Sequence, residues 1–600
     1  MGIAQKYYKP ESESKGIKIE RNRKIMEQFL KKTGTFILGF IRVLMVLFLG
    51  ILLLGAFFLT AYSVNMETQE VLLAWDSPLL SLPGTVIMGL FFLLPAAYIS
   101  GKSLHAHRIL RVFVLFWCIF CGITQILFGK TVPAADAYSV YDIAQSLALG
   151  DTSVIHPTES YLSYYPQQIG LAAFWELFIR LWKLTGIDQH AYHFIKIIYL
   201  LLGCVIIYYQ EKIVHMLWQD KRADCLYLLL AGANCPFLMY TSFVYGEIPS
   251  FAAISIGHYL LLRFLSGNAI SADGKKRPTS ALFALGSLCF LTLGVMLRKN
   301  SLIFIIALVL VLLCAGKQCH GQPNPASQDL ETSAKSFHGI QSSRPHALLL
   351  AGLYLFCALM ILPCVQKFYE SRSGSTIRSG VPAISYFAMG MQESSRANGW
   401  YNGFNFNTYR DTGMDTEATA LVSRAAIQER LAYFQAHPDY AAGFYLEKFL
   451  SQWTDGSYAC RQATLATFGG RSPFFHSLYE GRHSRYLIAY CNLYQNILYL
   501  GAFLFCLFSL CPRHIAPVPD TGAPGGATWN APSGAGDFGL YAFLGLITVF
   551  GGFLFHMIWE ANARYIFLYG LFPLPYTARG LSQVTELLSE KVNNTLRRRK

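Results

Sequence analysis

Long apolar runs separated by short polar breaks occupy most of this chain. Runs of about 20 residues, the length that crosses a bilayer as a helix, fall near 35–62, 79–99, 111–129, 191–209, 224–243, 248–265, 279–297, 300–315, 346–365, 486–511, 537–558 and 564–582. The pattern predicts an all-α polytopic membrane protein, a transmembrane helix bundle of about twelve spans. Two long polar insertions interrupt it, at 131–190 and 366–485. The expected organisation is a basic N-terminus (1–34), three spans (35–130), the first insertion (131–190) and further spans (191–365). The second insertion (366–485), the last spans (486–585) and a basic tail (586–600) complete it.

Local signals subdivide the insertions. The first carries Asp136, Asp142, Asp151 and Glu159, with a helix expected from Asp136 and closed by Gly150-Asp151. Tyr165–Gly186, YPQQIGLAAFWELFIRLWKLTG, is apolar but broken by Glu176, Arg180 and Lys183, which suits a helix lying in the membrane interface. In the second insertion, Asp415 or Thr416 caps a helix to about Gln435, and His437-Pro438 breaks the chain. A second helix then runs to Trp453, with Ala441, Tyr445, Phe449 and Trp453 as an apolar stripe for packing on the membrane helices. The polar segments 266–278, 316–345 and 512–536 read as linkers on the opposite face, the last rich in Pro and Gly.

Charge orients this pattern. Only 14% of the 600 residues are charged, against about a quarter in soluble domains. The formal net charge is +14, and its cations cluster beside spans, before the first apolar run and at Arg597–Lys600. Such clusters mark cytoplasmic segments rather than a nucleic-acid surface. Alternation from a cytoplasmic N-terminus puts both insertions outside and both termini inside, in a multi-pass cell-membrane protein. Most of the 14 Cys sit in apolar runs without CxxC spacing, while Cys460 and Cys491, both assigned outside, leave a disulfide open. HExxH, GxSxG and Walker patterns are absent, which disfavours a zinc protease, a serine hydrolase and an ATP-driven pump.

Candidate chemistry lies where charge breaks the topological bias. Arg298 and Lys299 (VMLRKNS) and Arg564 (WEANARYIFLY) fall at exterior ends of spans, and Lys196 lies one turn inside such an end. Lys448 edges the apolar stripe of the second insertion. Each of these can instead snorkel to head groups, and Glu560 with Arg564 can be a simple i,i+4 helix pair. Cations and a carboxylate converging at the outer interface suit a phosphate at lipid head-group level. Asp136 and Asp142 are about 600° apart on a helix and do not share a face. Asp136, nearer the membrane end, is therefore the candidate base. Asp142 and Glu247 are the other acids to weigh, Glu247 first as a helix-start carboxylate. Nothing in the pattern calls for a metal or other cofactor.

On four stretches the chain resembles bacterial GT-C superfamily glycosyltransferases, the class of protein O-mannosyltransferases and lipid A aminoarabinose transferases. They are Asp136 with the run to Gly150-Asp151 and the amphipathic YYPQQIG segment, LRKN at Leu297–Asn300, GWYN at Gly399–Asn402 with KFLSQW at Lys448–Trp453, and EANARYIFLY at Glu560–Tyr569. The resemblance implies a GT-C-like bundle that moves a sugar from a polyprenyl-phosphate donor to an acceptor hydroxyl on the outer face, with inversion. It implies Asp136 as general base and Arg298, Lys299, Arg564, Lys196 and Lys448 as phosphate ligands, in cell-envelope polysaccharide biosynthesis or a related pathway. Sugar and acceptor (glycan, lipid or protein) are not readable from the residues.

A transporter or flippase of lipid-linked glycans would also place cations in a membrane cavity. It predicts charge along a path across the bilayer and internal repeats, whereas charge here gathers on one face and no repeat is visible. A surface-polysaccharide polymerase or ligase shares the large exterior insertion. Reporter fusions test the orientation on which all three readings depend. A reporter after Gly150 or within 400–480 should report the exterior, and one within 520–535 the cytoplasm. A cytoplasmic signal from 400–480 would overturn the architecture.

Overall fold

The computed structural model describes residues 11–63, 68–156, 158, 160–187, 190–267, 279–314, 344–464, 472–510 and 539–599. Glu159 and almost all of the three linkers named above lie outside them. The first half comprises α1 (Glu11–Phe58), β1 (Leu59–Ser63), β2 (Val71–Trp75), α2 (Pro78–Ser100), α3 (Leu104–Thr124), α4 (Asp136–Leu149), α5 (Tyr161–Tyr164), α6 (Ile169–Lys183), α7 (Ala191–Trp218), α8 (Lys221–Ala233), α9 (Cys235–Tyr240), α10 (Glu247–Gly267), α11 (Thr279–Leu297) and α12 (Leu302–Cys314). The second comprises α13 (Arg344–Ser373), α14 (Ala383–Met389), α15 (Phe404–Asp411), α16 (Thr416–Ala436), α17 (Pro438–Trp453), α18 (Cys460–Ala463), α19 (Pro473–Tyr479), α20 (Ser484–Ser509), α21 (Leu544–Ile558), α22 (Ala563–Gly570) and α23 (Pro573–Arg599).

The chain is an all-α multi-pass membrane protein, with one antiparallel hairpin, β1–β2, among the described residues. The expectation of about twelve spans is not matched by uninterrupted helices among the described residues. Eight described helices are long and apolar enough to cross a membrane, and the apolar helices Ala281–Leu297 and Lys299–Cys314 are shorter. The expected spans 224–243 and 564–582 are each broken. Asn234 ends α8, and its side chain caps α9 by accepting from Phe237 N at 3.0 Å, with Pro236 in the first turn. Pro573 starts α23 after the turn that closes α22. Such breaks are tolerated at membrane depth when protein buries them, and α8, α9 and α22 are largely buried. The basic N-terminal segment continues directly into α1 from Glu11, and the basic tail prolongs α23.

Small residues set the closest crossing. A Cβ added at Gly580 would lie 1.9 Å from Gly501 O, and one at Gly501 would lie 2.6 Å from Thr577 Cγ2. Backbone contact between α20 and α23 therefore depends on both glycines.

The 374–483 segment covers one end of the bundle. Asp415 caps α16, accepting from Glu417 N at 2.8 Å and Ala418 N at 3.0 Å, and α17 begins at Pro438. The expected stripe on α17 divides: Trp453 meets Phe48 of α1 and Phe553 of α21, and Phe449 meets Phe553, whereas Ala441 and Tyr445 pack with Phe434 of α16 in a separate cluster. Tyr164 stacks on Phe406 with centroids 4.8 Å apart, joining the two insertions. Cys460 and Cys491 are both buried and free, so the disulfide left open by the sequence is not formed. Gly580→Ala should lower the thermal midpoint in detergent, by an overpacking cost of about 1–3 kcal/mol. Gly352→Ala on α13, where a Cβ meets nothing within 4 Å, should leave it unchanged.

Candidate functional site

Asp136 opens α4 at the bundle end covered by 374–483. Ala135, at φ +48°, turns the chain sharply into that helix. The far end of α4 is fixed by charge. Gly150 adopts φ +89° as its cap, and Leu147 O accepts from both Arg180 Nη2 and Arg372 Nη2 at 2.8 Å. Those arginines are held by the buried Glu176, which also accepts from Tyr369. The segment around Glu176 is thus packed against α4 and α13, while Leu177 and Leu181 on its other face are exposed. Hydrogen bonds from the Ser153 side chain and, at 2.9 Å, from Ser153 N hold the Asp151 carboxyl below the usual range.

Around Asp136 stand tyrosines from four segments. Its carboxylate acts electrostatically on Tyr161, Tyr165, Tyr245, Tyr401 and Tyr565. Tyr245 is held rigidly: its phenol accepts from Gln168 Nε2 at 2.6 Å, and its carbonyl accepts from Tyr199 at 2.6 Å.

Two arginines share the aromatic wall. Arg298 Cζ lies 5.2 Å from the Tyr245 ring centre and 5.7 Å from that of Tyr565, and Arg564 Cζ lies at 5.3 and 5.5 Å from the same rings. Contacts of this kind stabilise a cation modestly without neutralising it. Arg298 has a counter-ion: Glu247, 2% exposed in the first turn of α10, lies 3.1 Å from Arg298 Nη2 without hydrogen-bond alignment. Among the described residues Arg564 has no carboxylate within ion-pair distance, and its Nε is buried and unpartnered.

The 559–562 loop contributes a second carboxyl, on which Asp136 acts electrostatically. Glu560 is 5% exposed and precedes α22, so it is not the i,i+4 helix partner of Arg564 that the spacing allowed. Asn562 intervenes as the helix cap, accepting from Arg564 N at 2.9 Å. Glu560 Oε1 accepts from Tyr565 at 3.2 Å. Burial pushes its carboxyl up to about 7, Asp136 adds to the rise, and Tyr565, Arg564 and Arg396 oppose it. Lys448 holds the loop: its fully buried Nζ donates to Gly390 O at 2.5 Å and Trp559 O at 2.8 Å. Ala561 N also donates to Gly399 O at 2.8 Å, and Trp559 stacks on Tyr386.

The structure therefore brings together Asp136, Glu247, Arg298 and Arg564. Lys448 stands at the edge, occupied with carbonyls. Asp142 is exposed on another face of α4, and Lys299 is also exposed, with no ion pair among the described residues. Lys196 is buried on α7 with its ammonium 4.9 Å from the Tyr192 ring centre. Sequence reasoning missed Tyr161, Tyr165, Tyr245, Tyr401, Tyr565 and Arg396, and weighed Glu560 only as an i,i+4 helix pair with Arg564. The YLSYYP run and the Asn562 cap were the available signals. No group of three or more His, Cys, Asp or Glu among the described residues could hold a metal ion.

No protein-family model and no curated protein matches this chain. Among solved structures it is similar to the archaeal oligosaccharyltransferase AglB from Archaeoglobus fulgidus, determined with an inhibitory peptide and a dolichol-phosphate. The TM-score is 0.40 and the identity 12%, over 81% of this chain. The chain spans about half, 52%, of that neighbour. A likeness of that size assigns no family.

Burial of Glu560 makes stability depend on pH. Its acid form is favoured on folding, so the folded chain holds the proton more tightly than the unfolded chain. Stability then falls as pH rises from the model-compound value of 4.5 to about 7. Across that window the loss is on the order of 3 kcal/mol. Glu560→Gln should therefore melt progressively higher than wild type between pH 5 and pH 8. A gap that does not widen with pH would mean that Glu560 is solvated.

Proposed function

We propose that the chain is a membrane glycosyltransferase that moves a sugar from a polyprenyl-phosphate donor to an acceptor hydroxyl, at the outer face of a membrane whose cytoplasmic side holds both termini. The observation that carries this reading is Arg564, a largely enclosed guanidinium with no carboxylate within ion-pair distance among the described residues, beside a second arginine and under the more distant charge of Glu247 and Asp136. A buried cation with no carboxylate in direct contact is costly. An anionic substrate relieves that cost, and a phosphate fits the fork of a guanidinium.

In this reading Arg298 and Arg564 bind the donor phosphate and stabilise the charge that grows on it as the anomeric bond breaks. Glu247 orients Arg298. Asp136 accepts the proton of the attacking hydroxyl. Attack from the face opposite the phosphate inverts the anomeric carbon. Lys448 positions the 559–562 loop, and Lys196 and Lys299 contribute charge at the margin of the site.

The roles separate in binding and turnover. Arg298→Ala and Arg564→Ala should each weaken donor binding by on the order of 2–5 kcal/mol. Asp136→Asn should leave donor binding intact and lower transfer about 10²–10⁴-fold, and Asp142→Asn should do neither. Purified variants assayed for both properties provide the test. Normal donor use by both arginine variants would place the phosphate elsewhere, and normal transfer by Asp136→Asn would move the base.

A further inference from the structure

Two carboxyls in this site act on each other electrostatically and differ in surroundings. Asp136 is half-buried on a helix N-terminus, and its neighbours are phenols and the Arg564 guanidinium. Glu560 is 5% exposed and sits in a loop pinned at Trp559 and Ala561; its carboxyl has a phenol as its one hydrogen-bond partner among the described residues, and its carbonyl accepts from the buried His556 of α21 at 3.2 Å. Opposed environments of this kind divide acid and base roles between two like groups. The less solvated carboxyl, Glu560, is the one that burial inclines to keep its proton.

We propose that Glu560 is a second catalytic carboxyl, a general acid that protonates the departing lipid phosphate; this rests on the transferase reading above. Tyr565 links the two groups: its hydroxyl donates to Glu560 Oε1 at 3.2 Å and its ring centre lies 5.5 Å from Arg564 Cζ, so a phosphate on that guanidinium comes within reach of the Glu560 carboxyl. The acceptor O–H bond breaks and its proton goes to Asp136. The oxygen's electron pair forms the new bond to the anomeric carbon. The bond from that carbon to the phosphate oxygen breaks, its electron pair staying on the phosphate, which takes the Glu560 proton. The phosphodiester monoanion thus leaves as a phosphomonoester monoanion. Proton transfer from Asp136 to Glu560 restores the starting state.

The groups whose charge acts on Glu560 are Asp136 on α4, Arg396 after α14, Lys448 on α17 and Arg564 with Tyr565 on α22. Tyr165, Tyr386 and Tyr401 also feel its charge. Burial and Asp136 favour its acid form, and Tyr565 and the arginines favour the carboxylate. The acid form is therefore present below about pH 7 and lost above it.

The test is the pH profile of sugar transfer by the full-length chain, with a short polyprenyl-phosphate sugar as probe. Wild type should lose activity as pH rises through about 7. Glu560→Gln should transfer about 10²–10³-fold more slowly and lose that alkaline limb. Tyr565→Phe removes a hydrogen bond to the ionised form, so it should move the limb to higher pH. A polyprenyl-diphosphate donor, whose leaving group needs less protonation, should restore Glu560→Gln more than Asp136→Asn. An active chain whose limb survives Glu560→Gln, or does not move in Tyr565→Phe, overturns the proposal alone. If wild type transfers no sugar at all, the transferase reading falls and the catalytic step with it. Infrared difference spectra of wild type against Glu560→Gln then report independently whether a protonated carboxyl titrates near pH 7.

Discussion

An arginine enclosed where an apolar bundle meets a polar cap must find a counter-charge or leave its desolvation uncompensated. Arg298 finds Glu247, whereas Arg564 has aromatic faces and no carboxylate in ion-pair contact. That asymmetry organises the site. It explains why a carboxylate and two guanidiniums are held together by neighbours that supply little neutralising charge, and why the wall between the arginines consists of tyrosines. An aromatic face orients a cation while leaving its N–H groups directed at a ligand.

Most of the surrounding structure keeps these groups still. Arg180 and Arg372 hold the C-terminal end of α4, whose N-terminal end carries Asp136. Lys448 spans from the 374–483 segment to the carbonyl of Trp559 and so fixes the Glu560 loop from above. Gly399 is required beside it: a Cβ there would lie 2.6 Å from the Lys448 side chain, and its own φ is +73°. The GWYN stretch is therefore explained by the passage of a lysine, a packing constraint with consequences for the site. Preorganisation of this kind lets charge be stabilised without rearrangement during reaction.

The sequence made the helical membrane class legible because apolar length alone decides it. It also placed α16 and α17, whose Asp415 cap and His437-Pro438 break are strong local signals. It did not show that Asn234 and Pro573 interrupt two of the expected spans, since composition does not register a cap inside a hydrophobic stretch. Asp136, Arg298 and Arg564 were legible as charges that break a topological pattern. Glu560 was not, because four-residue spacing to Arg564 mimics a helix pair and only the Asn562 cap separates them. The tyrosines were invisible for another reason. They arrive from segments around 161, 245, 401 and 565, and nothing local signals convergence across such distances.

The most direct test follows a labelled polyprenyl-phosphate sugar in sealed proteoliposomes containing the purified chain and a mixture of hydroxyl-bearing envelope acceptors. The account predicts that label moves from lipid to acceptor with free polyprenyl phosphate as co-product, on the membrane face that bears the 374–483 segment. Label that crosses the bilayer still attached to its lipid, with no phosphate released, would contradict it and make the chain a transporter.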